Sequence, residues 1–190
     1  MTQMRKQIFC AVIMAGLIGL GGYGLGGAMA QTPALLIPGV DPTKDVPGAK
    51  ELPDPGIVYK IVFDLAEAAP KPGDINPGLV GVAHYVNTLG KYNIPADHRK
   101  IVVVFHRGST PIVVNNETYK AAHDGADNPN IALIAAMKKA GVDFRVCGQS
   151  VLANKIDPKT INPDIELDLW AGMTITNLMM RGYAHLGGAL

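Results

Sequence analysis

Residues 101–105 read IVVVF, an unbroken apolar run between Lys100 and His106. A run of this length and β-branched content suits a strand buried on both faces, the signature of a parallel sheet. Residues 57–65 (IVYKIVFDL) have the same character and close on an acid, Asp64, before Leu65. Between the two, Leu79, Val82, Ala83 and Val86 recur at helical spacing, with Pro77 at a first-turn position. Strand, helix and strand make a βαβ unit.

The second half repeats the pattern. The sequence Asp127-Asn128-Pro129-Asn130 marks a helix start and is followed by Ile131, Ile134 and Ala135, with a stop at Gly141. Residues 142–147 then predict a short strand, residues 158–163 a turn, and residues 165–169 (IELDL) another strand. Residues 170–183 predict a closing helix with Met173, Leu178 and Met179 available to the core. The expected fold is α/β: a mostly parallel central sheet of four to five strands with helices on both faces, layered like flavodoxin.

Outside this domain the composition changes. Arg5 and Lys6 precede a stretch from Ile8 to Leu25 without charge, and Ala28-Met29-Ala30 offers small residues for cleavage. Residues 1–30 are therefore expected to be a cleavable export signal, leaving no membrane segment and a periplasmic protein. The glycines at 21, 22, 24, 26 and 27 disfavour a long membrane helix there. Gly22, Gly24 and Gly27 spell G-x-G-x-x-G, but no strand precedes them, so they predict no dinucleotide site. Residues 31–56 carry six prolines and predict an extended arm, either a spacer or a strap across a neighbouring subunit. Residues 57–190 form the expected α/β domain.

Cleavage would change the cysteine and charge counts. Cys10 leaves with the signal, so Cys147 becomes the single mature thiol and no internal disulfide is expected. Lys+Arg falls from 17 to 15 against 16 Asp+Glu, a formal net charge of −1 that gives no footprint for nucleic acid.

Ligands of open parallel sheets bind beyond the carboxyl ends of the strands. Those ends deliver Asp64, His106-Arg107, Cys147-Gly148-Gln149 and Trp170-Ala171-Gly172 to one rim. Cys147 can be read two ways, as an inert buried thiol or as a reactive one at the start of a short helix over residues 149–153. His106 and Arg107 are candidate cations beside a thiolate, and alternatively a solvated start to a loop with Gly108-Ser109-Thr110. His84, His98, His123 and His185 show no ligand spacing, so neither a metal nor another cofactor is expected. Met179 and Met180 with His185 are a soft set that copper would suit in an oxidising compartment, the basis of a second alternative, a metal-binding protein; the simpler reading is helix core and a frayed end. Asn116-Glu117-Thr118 is a formal glycosylation sequon, and Asn115-Asn116 a helix start.

Four stretches carry a resemblance. They are Val102-Val103-Val104-Phe105-His106, Asp127-Asn128-Pro129-Asn130, residues 139–150 (KAGVDFRVCGQS), and Gly172-Met173-Thr174 through to Gly182-Tyr183-Ala184. Together they resemble the DsrE/DsrF-like family over nearly all of residues 57–186. The resemblance implies a compact α/β domain that assembles into trimers or hexamers and takes part in sulfur oxidation or relay. It implies that Cys147 carries sulfane sulfur as a persulfide, received from a donor protein and passed to an acceptor. His106 and Arg107 would then tune the charge and the Gly148 and Gln149 amides would hold the anion. Arg107 departs from the glycine expected after the histidine. The alternative expectation is a non-catalytic oligomeric module whose rim pocket binds a small ligand or a protein.

Overall fold

The computed structural model describes residues 35–187, so the expected export signal and Cys10 lie outside the described residues. Five strands form one all-parallel sheet: β1 (Tyr59–Leu65), β2 (Arg99–Phe105), β3 (Asp143–Cys147), β4 (Ile165–Asp168) and β5 (Ala184–Gly187). Their order across the sheet is β4-β3-β2-β1-β5. The expected α/β architecture is therefore present, with one strand more than the four read from hydrophobic runs. That strand corrects the reading of His185 as a frayed end. Only four residues long and largely exposed, β5 has no apolar run of its own, and its place is set by pairing with β1.

The chain steps from β1 through β2 and β3 to β4 in one direction, then returns past all of them to β5. Right-handed crossovers put the helices of the outward steps on one face and that of the return step on the other. The helices α1 (Pro77–Lys91) and α3 (Ile131–Lys139), and Val151 of the short α4 (Gly148–Ala153), pack on the first face. Phe63, Phe105, Phe144, Leu79, Ile134 and Met137 are fully buried there, and Phe105 stacks on Phe144 at 5.8 Å. Helix α2 (Asn116–Ala122) starts where Asn115 predicted, its side chain accepting the Thr118 amide at 2.9 Å.

The return helix α5 (Ala171–Met180) stands alone on the second face. Its inner layer is thin: Val62, Val102, Val104, Cys147 and Ala171, with Ile175, Leu178 and Tyr183 packed against them. Met173 and Met179, expected to be available to the core, are 47% and 49% exposed, and Met180 beside them is 84% exposed. With one helix covering this face, only one stripe of it meets the sheet. No helix among the described residues is long and apolar enough to cross a membrane.

From residue 35 the proline-rich segment lies on its own domain. Asn87 of α1, itself buried, accepts the Ile37 amide at 2.8 Å and donates to the Ile37 and Val40 carbonyls at 2.8 and 2.6 Å. Ile37 is buried completely. Further along, Lys91 pairs with Asp45 at 2.7 Å and donates to the Thr43 carbonyl at 2.8 Å.

Candidate functional site

Strand register decides what the carboxyl rim holds. Leu65 pairs with Phe105, Phe105 with Val146, and Cys147 with Asp168. His106 and Cys147 thus follow directly on paired residues of neighbouring strands, whose backbones run about 4.8 Å apart. Alternation sends Phe105 and Val146 into the large core and Cys147 to the α5 face, with Val62, Val102 and Val104. Asp64, His106, Arg107, Cys147, Ser150 and Trp170 all line one open cleft of about 690 Å³.

Cys147 lies on the floor of this cleft, with 3% of its surface exposed. Burial raises its pKa, but the amides of Ala171, Ser150 and Gln149 and the Ser150 hydroxyl face the sulfur, and the net direction is downward from the ordinary thiol value. These donors come from two chain segments. Gln149 and Ser150 belong to α4, which begins directly after Cys147, and Ala171 opens α5 after β4. Gly148 is not among the donors. Its part is steric: a Cβ there would stand 2.7 Å from the Asp168 carbonyl oxygen and 3.2 Å from that of Leu169. Glycine lets the strand-to-helix turn come close enough to β4 for the Ala171 amide to reach the sulfur.

The expected open loop after β2 is a run of 3₁₀ turns, Arg107–Val113. The His106 amide donates to the Leu65 carbonyl at 3.1 Å and to the Ser109 hydroxyl at 3.1 Å. Arg107 adopts a left-handed conformation, φ 50°, which glycine enters freely and other residues at a cost of roughly 1–2 kcal/mol. In it the Arg107 amide donates to the Ser150 hydroxyl at 3.1 Å, so Arg107 reaches the thiol through Ser150. Its side chain is exposed at the cleft mouth.

The His106 imidazole turns to Asp64: Nε2 bonds to one carboxylate oxygen, while Nε2 of His185 lies 3.3 Å from the other. Sequence reading placed Asp64 on the rim but missed this pairing. The strand order alone brings His185 within reach, since β1 lies between β2 and β5. Among the described residues no group of three or more His, Cys, Asp or Glu side chains is arranged to hold a metal ion.

A parallel α/β sheet whose rim cleft holds a thiol at a strand end defines a cysteine-centred site. The chain belongs to the DsrE/DsrF-like family, whose profile matches residues 59–186. Among solved structures it is similar to the protein of unknown function MTH1491 from Methanobacterium thermoautotrophicum. The two share 16% identity at a TM-score of 0.46, over 68% of this chain and 99% of that one. No curated protein matches the chain.

Proposed function

We propose that this protein is a periplasmic sulfur handler in which the Cys147 thiolate accepts sulfane sulfur as a persulfide and passes it to a partner thiol. Family membership supports a sulfur-relay type of function. The observation that carries the finer reading is the set of three amides and one hydroxyl facing the Cys147 sulfur. A thiolate is the attacking species in sulfur transfer, and donors that stabilise it also suit the terminal anion of a persulfide. Arg107 adds positive charge at the cleft mouth, where anionic donors would enter. The charged start, apolar stretch and Ala28-Met29-Ala30 of residues 1–30 support export.

Assembly into a homo-oligomer, a trimer or hexamer, belongs to the same proposal. The α5 face supports it, because Trp170, Met173, Met179 and Met180 leave apolar surface uncovered. A monomeric mass by light scattering refutes it.

Intact-mass measurement after incubation with thiosulfate or polysulfide tests the carrier reading. The expected result is a gain of sulfur on the wild-type protein and none on Cys147→Ala. No gain, or an equal gain in both, ends the proposal. The near-complete burial of Cys147 favours a second reading, a non-catalytic module that uses the cleft only to bind. Thiol titration separates the two: a native Cys147 that reacts only after denaturation supports the binding module.

A further inference from the structure

The pairing on Asp64 assigns a role to His106, and this assignment rests on reading Cys147 as a sulfur acceptor. We propose that His106 protonates the thiolate released when Cys147 attacks an organic persulfide or disulfide, with Asp64 as its positioning residue.

The proton inventory of the cleft leads to this division. Cys147 already has three amides and a hydroxyl placed to hold its anion. The charge left without a partner is that on the departing sulfur of the donor. His106 lines the cleft and follows Phe105, whose register partner Val146 directly precedes Cys147.

An ionised carboxylate only accepts hydrogen bonds, so the Nε2 atoms of His106 and His185 are the donors to Asp64. Asp64 therefore holds the Nε2 proton of His106 in place and leaves Nδ1 as the exchanging nitrogen. Nδ1 of His106 bonds to no other side chain among the described residues, and the Ser109 amide, which caps this ring, donates to the His106 carbonyl at 3.2 Å. The ring is also held at its base. The Ser109 hydroxyl accepts the His106 amide at 3.1 Å and donates to the Leu65 carbonyl at 2.5 Å.

The Cys147 thiolate attacks the outer sulfur of R–S–SH, forming a new S–S bond, and the R–S to SH bond breaks with its electron pair leaving on R–S⁻. The His106 imidazolium gives its Nδ1 proton to R–S⁻. The products are the Cys147 persulfide, R–SH and a neutral imidazole whose Nε2–H stays on Asp64.

Leaving-group dependence tests the assignment on the full protein. An aryl disulfide releases a thiolate stable without a proton, whereas an alkyl disulfide releases a basic one that gains from protonation. The ratio of alkyl to aryl exchange rates at Cys147 should fall by roughly tenfold to a hundredfold in His106→Gln and in Asp64→Asn. An unchanged ratio overturns the proposal, because loss of packing alone slows both reactions alike. Should Asp64→Asn fail to fold, ¹⁵N NMR of the wild-type imidazoles decides. A neutral His106 protonated at Nε2 supports the assignment, and one protonated at Nδ1 overturns it. Because disulfide exchange needs no sulfane sulfur, a fallen ratio with no sulfur uptake would retain the proton donor and reject only the carrier reading.

Discussion

The backbone amide of Arg107 donates to the hydroxyl of Ser150 at 3.1 Å, and Ser150 in turn faces the Cys147 sulfur with its own hydroxyl and amide. The loop after β2 is thereby joined to the thiol on β3 through one side chain. The amide orients the hydroxyl by occupying its oxygen lone pair, leaving the proton for sulfur.

Ser150→Ala removes that hydroxyl and strands the Arg107 amide. The Cys147 pKa should rise toward the ordinary thiol value, and alkylation by iodoacetamide near neutral pH should slow several-fold. Ultraviolet titration of the thiolate, with alkylation rates across pH, checks both.

The lowered thiol pKa makes folding stability depend on pH. Between the folded and unfolded values the unfolded chain binds more protons, so stability rises with pH. The increment is fully present above the unfolded thiol value and is lost as pH falls through the folded one. Cys147→Ala lacks this increment. The difference in Tm between wild type and variant should shift in favour of wild type as pH rises through that window, measured by calorimetry under reducing conditions.

Gly148→Ala places a methyl group 2.7 Å from the Asp168 carbonyl oxygen, a backbone atom that cannot swing aside. Separating the turn from β4 should cost about 1–3 kcal/mol. It should also draw the Ala171 amide away from the sulfur. Chemical denaturation measures the first effect, and a slower thiol reaction at neutral pH reports the second.

Asn87→Ala strips three hydrogen bonds from the segment at Ile37 and Val40. The loss should be about 1–3 kcal/mol, felt most at this segment, which is held by these bonds and by the buried Ile37. Limited proteolysis should cut residues 35–56 faster in the variant, with the fragment from β1 onward surviving.

The parts of this fold legible in the sequence are those that each segment states for itself. IVVVF at 101–105 and VC at 146–147 announce buried strands, and Asn115 and Pro77 announce helix starts. Four strands and the rim position of Cys147 follow from such signals. The remaining features depend on partners. AHLG at 184–187 becomes a strand only beside β1, and α5 exposes its methionines because no second helix stands next to it. The Ala171 amide reaches Cys147 from 24 residues away in the chain, across a glycine whose need is visible only once β4 is beside it. The Asp64 pairing is of the same kind. No spacing rule links an aspartate to one histidine just past β2 and another on β5, yet the sheet order makes them neighbours. The left-handed Arg107 shows the reverse case, in which the unusual residue was noticed and the backbone angle supplies the reason.

His185 comes to Asp64 from 121 residues along the chain, whereas His106 comes from 42. Contacts this far apart close late, because the loop they join must first be ordered. Asp64 therefore holds a single histidine until β5 docks beside β1. The second grip waits for the last strand to slot in beside the first. Completion of β5 thus marks the moment the Asp64 corner of the site becomes whole.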